Sequence, residues 1–375
     1  MHRILASCSI GFAALACFGA PLAAQISLPS DNTAYGTTSA EFLLLGAGAR
    51  GMALGGSFAA ISNDVSALYY NPAGVTLIEH PGAMVSTYSY VADTKYTWAG
   101  LAFPVAGGAR AFGFQVGYLG FSGQPVYTVE QPDGTGGTYS VSETFVGGTF
   151  SENFSDRFSA GLTAKFIRDG LGDVSGSAFA VDFGTSFHVT TGGRPLRASF
   201  TIQNLGTTLQ YSGTPLTVNV NRPPVAGQVD VPQEPQPASL QNKDYGLPVT
   251  FRVGIAFDAM SSQDARLTIL SEFNQPNNNK SGFGFGGEFT FSDIGKSGFS
   301  LSGRGSWTYA PANNIDVGSQ AGFTTGLNGK DNQEGLAAGM GVGYRHGAFG
   351  LGFDYAWRSM GPLGGTNYLS FSVGW

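Results

Sequence analysis

Three groups of residues in this 375-residue chain have types or spacings that could do chemistry. Gly46-Ala47-Gly48-Ala49-Arg50-Gly51 matches the G-x-G-x-x-G spacing with which a βαβ unit cradles a pyrophosphate. That fingerprint needs a strand before it, a helix after it and a parallel strand beyond, and the downstream sequence supplies none of these. Close packing or backbone freedom in an Ala- and Gly-rich segment accounts for the glycines instead. The second group, His2, His80, His188 and His346, is too scattered for a metal site. There is no G-x-S-x-G elbow and no convincing set of serine, histidine and acid. No cofactor and no enzymatic activity are expected. Cys8 and Cys17 lie in the first eighteen residues and leave with a cleaved leader, so no disulfide or thiolate site is expected either.

The third group is a set of charges placed singly among apolar residues. Lys165, Asp182, Arg252, Asp258, Arg266, Glu272, Glu288, Arg304, Arg345 and Asp354 all fall on the small-residue parity of segments whose other parity is aromatic or aliphatic. Phe112, Phe114, Val116 and Tyr118, for example, alternate with Gly113, Gln115 and Gly117. A period of two means strands. The pattern returns until about fourteen strands can be counted, an even number that suits a closed barrel. A soluble β-sandwich also alternates, but it needs far more Lys and Glu on its solvated face. Charged residues make up 12% of the chain, about half the usual globular share, and its 57 glycines are about twice the usual frequency. A net charge of −6 argues against nucleic acid as a partner. The fold class that follows is all-β, a transmembrane antiparallel β-barrel of about fourteen strands. Lys165, Asp182, Arg252, Glu288, Arg304, Arg345 and Asp354 then face the lumen, as the lining of a permeation path or as a hydrogen-bonded network.

The elements that position these groups divide the chain in four. Residues 1–24 read as a signal peptide: His2 and Arg3, an apolar run from Ile4 to Phe18, and a small-residue cleavage site. Residues 25–39 are a polar lead-in. Residues 40–82 are rich in Ala, Gly and Leu, yet Arg50 and the six glycines from Gly46 to Gly74 make them a poor membrane-spanning helix. They are expected to form a compact plug inside the barrel, ended by a turn at Asn71-Pro72-Ala73-Gly74, where Asn before Pro leaves the helical region and Gly74 accepts positive φ. Residues 83–375 form the barrel. Its turns alternate between short (105–108, 153–156, 190–194, 261–264, 292–296 and around His346) and longer (120–140, 169–176, 205–248, 275–281, 310–334 and 358–365), the pattern of an outer-membrane barrel with both chain ends on the periplasmic side. The loop from Leu205 to Pro248 carries six prolines before Pro248 itself and is expected to have little regular structure. Leu369, Phe371, Val373 and Trp375 form the apolar face of a last strand ending on an aromatic residue.

Several stretches resemble one family. GAGARGMALGG, then Asn63-Asp64, then Ala67-Leu68-Tyr69-Tyr70-Asn71-Pro72-Ala73-Gly74 is similar to the N-terminal signature of PorV/PorQ outer-membrane proteins, themselves similar to the FadL group through an Asn-Pro-Ala hatch motif. Ile202-Gln203-Asn204-Leu205-Gly206, the Leu247-Pro248 lead into Phe251-Arg252-Val253-Gly254, and the ending DYAWRSMGPLGGTNYLSFSVGW extend the resemblance. It implies a bacterial outer-membrane location and a hatch built on Arg50, Asp64, Asn71, Pro72, Ala73 and Gly74. It also implies an assembly signal, in Leu369, Phe371, Val373 and Trp375, read by the barrel assembly machinery. Two functions follow as expectations. The PorV likeness implies binding of secreted cargo or translocon subunits in type IX secretion, and is placed first. The FadL likeness implies uptake of a hydrophobic small molecule such as a long-chain fatty acid.

Overall fold

The computed structural model describes residues 36–91, 94–220, 235–311 and 334–375. The signal peptide and most of the lead-in lie outside these residues. Fourteen long strands form the wall: β1 Gly82–Ser89, β2 Lys95–Val105, β3 Arg110–Pro125, β4 Thr138–Ser155, β5 Phe158–Leu171, β6 Val174–Thr191, β7 Arg194–Gly206, β8 Thr250–Ser261, β9 Ala265–Pro276, β10 Gly282–Phe291, β11 Phe299–Tyr309, β12 Leu336–His346, β13 Phe349–Ser359 and β14 Gly365–Gly374. Each pairs antiparallel with its sequence neighbours, and β14 returns to β1 from Gly82 opposite Gly374 to Tyr88 opposite Tyr368. The ring is closed, with no free edge to template aggregation.

The alternation anticipated from sequence is the alternation of faces. Phe112, Phe114, Val116 and Tyr118 are exposed on the outside, as are Phe179, Phe183, Phe285 and Phe371. The largest fully buried side chains, among them Trp98, Tyr96, Tyr368, Phe145 and Ile167 from the wall and Phe42, Phe58, Leu68 and Tyr70 from residues 40–78, lie inside. The hydrophobic core is therefore luminal, and a globular interior is wrapped by a wall whose outer face is apolar as well.

Two boundaries differ from expectation. Residues 169–176 do not form a loop: β5 and β6 run on to a two-residue turn at 172–173, where Gly172 takes φ +61°. At 18 residues each, β4 and β6 extend roughly 60 Å at about 3.4 Å per residue. An outward apolar band is only about 25 Å tall, so these hairpins project beyond it at the long-loop end. In the loop after β7, Thr217–Val220 pairs with Gln236–Ser239, so this proline-bearing stretch holds a short hairpin.

Candidate functional site: a pinned segment inside the ring

Residues 40–78 fold as short helical pieces: 3-10 turns at Glu41–Leu44 and Pro72–Leu77, α1 at Ala49–Ala53 and α2 at Ala67–Tyr70. The glycines explain the brevity. Gly46, Gly48, Gly55 and Gly56 all have positive φ, which breaks the chain between pieces. Gly51 serves close packing, since a Cβ there would meet the Tyr70 ring at 2.6 Å. The fingerprint spacing thus has a folding reason.

Asn71 is extended (φ −157°) before Pro72, caps the following 3-10 turn by accepting from the Ala73 N–H at 3.1 Å, and leaves Pro72 at the first helical position. Its amide donates to the carbonyls of Ala59 (3.0 Å) and Thr185 on β6 (3.1 Å). Ser151 on β4 donates to the Pro72 carbonyl at 2.5 Å. Gly74 departs from the expected role. It lies within the 3-10 turn without positive φ, and a Cβ there would meet the Ser62 carbonyl at 2.1 Å, so glycine is required for contact. The chain reaches β1 eight residues later, at Gly82.

Arg50 stands at the centre of the charged network. Its Nε and Nη2 donate to the two Glu288 oxygens at 2.7 and 2.8 Å, and Nη1 reaches Asn63 at 2.7 Å and Asp64 at 2.9 Å. Arg304 donates to the same Glu288 at 2.7 Å and to Asp354 at 2.6 Å. Asp64 also accepts from the Ser66 N–H and hydroxyl, at 2.9 and 2.5 Å. Five groups anticipated from sequence, Arg50, Asp64, Glu288, Arg304 and Asp354, thus form one chain of bonds from the segment to β10, β11 and β13. Arg252 takes part nearby, donating to the Gly56 carbonyl at 3.1 Å beside Glu272, which accepts from the Ala59 N–H.

Lys165 and Asp182 form a separate buried pair, 2.6 Å apart, at an interruption of the wall. The β6–β7 register shifts between Val181 and Phe183, and Asn204 bulges inward with φ +61°. Its N–H donates to Asp182 at 2.7 Å, while its side-chain oxygen accepts from Lys165 at 2.9 Å. Arg345 does not join the luminal set. It lies at the short-turn rim, 63% exposed, against an exposed Glu79 at 3.1 Å. Parity gives the face of a residue but not its depth along the strand. At the other mouth, Ser39 and the Tyr211 hydroxyl both bond to Asp169, at 3.2 and 2.5 Å, tying the start of the segment to the long loop. Burial and the Asp169 bond push the Tyr211 phenol up.

Two kinds of functional residue escaped the sequence reading. Uncharged luminal side chains bind the segment's backbone: Gln115 donates to the Leu68 carbonyl at 2.6 Å, Gln203 to the Tyr69 carbonyl, Ser306 to Ala53 at 3.0 Å, and Ser370 accepts from the Ala49 N–H at 3.0 Å. Inward glycines are seats for it: a Cβ at Gly161 or Gly184, partners across β5–β6, would meet Pro72 at 2.5 Å or the Asn71 side-chain oxygen at 2.2 Å. Their signal was present as the small, polar parity of each strand. Of the last-strand residues, Leu369, Phe371 and Trp375 are exposed on the outer face, and Trp375 donates its N–H to Pro81 at 3.0 Å.

No family model matches the chain, and no curated protein sequence does. Among solved structures, the Pseudomonas putida toluene transporter TodX matches over 88% of this chain and 97% of its own, with a TM-score of 0.52 and 10% identity. The CymD monoaromatic hydrocarbon channel matches to the same extent, with the same score and identity. A Pseudomonas aeruginosa FadL homologue matches over 84% of this chain and 94% of its own at a TM-score of 0.45 and 11% identity. The chain is a closed, fourteen-stranded antiparallel barrel and shares its fold with the TodX and CymD structures.

Proposed function

We propose that the protein is a bacterial outer-membrane channel for hydrophobic small molecules, with residues 40–78 as its movable plug. The reading rests on one observation: a closed ring whose lumen is filled by the chain's own N-terminal segment, in a fold shared with the toluene transporter TodX and the CymD monoaromatic hydrocarbon channel. A filled lumen is no open water pore, so a solute passes only if the segment shifts or the wall lets it out. Both are supported locally, because the β6–β7 interruption adjoins Gly184, where Asn71 and Pro72 are seated. Outside, a shallow groove of about 830 Å³ runs across the wall from β14 to β6, lined by apolar residues such as Val85, Leu101, Phe114 and Phe179. A hydrocarbon leaving the lumen there would meet an apolar surface and then lipid. Capture of secreted cargo, placed first from the sequence, takes second place, because nothing in the described loop residues favours it over the channel.

Locking the plug tests this. A Cβ built at Gly254 on β8 lies 3.2 Å from the Ala60 Cβ, close to the 3.5–4.5 Å or so of a disulfide. In cells expressing the chain, entry of labelled toluene and of a labelled long-chain fatty acid should rise above the background of cells lacking it. With Ala60→Cys and Gly254→Cys, oxidation should abolish the gain and reductant restore it. Full entry through the oxidised barrel would rule out passage past the plug, and no gain with the unmodified chain would remove the channel reading altogether.

A further inference from the structure

On the outside of the wall, consecutive ladder rows change character abruptly. One row runs from Phe371 on β14 through Val85, Ala99, Val116 and Val146 to Phe166 on β5, and every side chain in it is apolar. The next row towards the long loops holds Thr97, Tyr118, Thr144, Arg168 and Ser177, from β2 to β6. Outward side chains face lipid only within an apolar band, so on these strands its outer boundary falls between the two rows.

The groove of about 830 Å³ lies along the apolar row. Ala99, Gly148 and Ala164 form its floor, too short to fill the space between Phe114, Phe166 and Phe179. Its course is oblique. At one end Phe371 is four residues from Trp375 at the short-turn rim, whereas at the other Phe179 is twelve residues from Thr191, where β6 meets its short turn. It therefore climbs through the membrane and stops at the outer boundary. Its outward side chains are all apolar, so the part of an occupant that lies in it is hydrocarbon.

Charge stands at the upper end. Arg168 follows Phe166 by two residues, about 7 Å along the strand, and is exposed on the outward face between Thr144 and Ser177 in the ladder. The acid beside it in sequence, Asp169, turns inward and accepts from Ser39 and Tyr211. Lys95 on β2 is exposed and outward too, and stands ten residues from the short-turn end of its strand at Val105, as Arg168 does from Phe158. The two cations mark one level, three strands or roughly 15 Å apart. An arginine flanked by hydroxyls suits a phosphate, which its planar fork binds bidentately. We propose that this face docks a phosphate-bearing lipid of the outer leaflet, with the phosphate on Arg168, Thr144 and Ser177 and an acyl chain lying down the groove. This rests on the outer-membrane part of the proposed function and not on transport, so toluene entry is a separate readout.

The test uses the purified full chain in detergent micelles and native mass spectrometry, titrating lipid A with its phosphates and the same lipid with them removed. The phosphorylated form should bind saturably, one molecule per barrel, and at least tenfold more tightly than the phosphate-free form. Arg168→Gln should reduce that preference to threefold or less. Ala164→Phe, and Ala99→Phe from a second strand, should fill the groove and weaken both forms fivefold or more. Arg157→Gln, in the turn at the opposite rim, should change neither. All are compared in barrels whose heat-modifiable gel migration shows them folded. Equal binding of the two forms, a loss from Arg157→Gln as large as from Arg168→Gln, or undiminished binding in either folded groove variant would overturn the proposal. Displacement of the lipid by equimolar inorganic phosphate would overturn it too, leaving a site for the free anion. So would a dimer of barrels dispersed by Ala164→Phe, since the groove would then hold a second copy.

Discussion

Glu288 is where the wall and the luminal segment 40–78 meet most directly, since it accepts from Arg50 on one side and Arg304 on the other. Its two oxygens satisfy three N–H groups, which makes it the hinge of the whole network. A buried ion pair of this kind contributes little net stability against an apolar replacement, but removing one partner costs about 3–5 kcal/mol because a charge is left unpaired. Glu288→Gln should therefore lower the urea midpoint of the barrel and speed amide exchange from Leu43 to Ala60. Arg345→Gln, at the exposed rim, should change neither. Equal exchange in the Glu288 variant would mean that packing alone holds the segment. At this scale the sequence was half legible. Parity put Lys165, Asp182, Arg252, Glu288, Arg304 and Asp354 on the inner face, because a charge on the lipid side is costly. It could not say that Arg50, hundreds of positions away in sequence, would choose Glu288, nor that Arg345 sits too near a strand end to reach the lumen.

At the scale of elements, the Asn71-Pro72 cap was readable because its signals are local: an extended Asn, a proline at the first helical position, a side chain free to cap. The seat that receives it was not. Glycine in a strand reads simply as a weak spot or a bulge, and only the folded chain shows Gly161 and Gly184 facing each other beneath Pro72 and Asn71. The same holds for Gly113 under Leu68 and Gly339 against Ala53. Gly184→Val should leave a closed barrel, with normal heat-modifiable migration, while raising exchange from Ala59 to Leu77 as the cap is pushed off its seat. Gly303→Val, where an added Cβ would meet nothing within 4 Å, should leave exchange unchanged. Matching exchange profiles for the two variants would show that these glycines are not seats.

For the whole molecule, the fourteen strands were legible because one constraint acts on every one of them: the outward side chain must tolerate lipid. How far each strand runs was not, because Asp169, Gly170, Gly172 and Asp173 look like loop residues wherever lipid no longer dictates the outer face. The register itself can be tested by one pair of substitutions. Phe285 points outward in mid-strand, 52% exposed, while Ser300 lies on the inward parity of β11, opposite Gly343 of β12. Gly286 would be a poor inward partner, since Leu54 of the luminal segment lies 3.2 Å from where its Cβ would stand. An arginine facing the bilayer midplane costs roughly 2–4 kcal/mol, and an arginine in the hydrated mouth of the lumen escapes that penalty. Phe285→Arg should thus reduce the fraction of heat-modifiable, membrane-inserted barrel and shift its urea midpoint down, whereas Ser300→Arg should insert like the unmodified chain. If both variants lost assembly equally, the inside and outside assigned to β10 and β11 would be wrong. If only Ser300→Arg failed, the two faces would have to be exchanged.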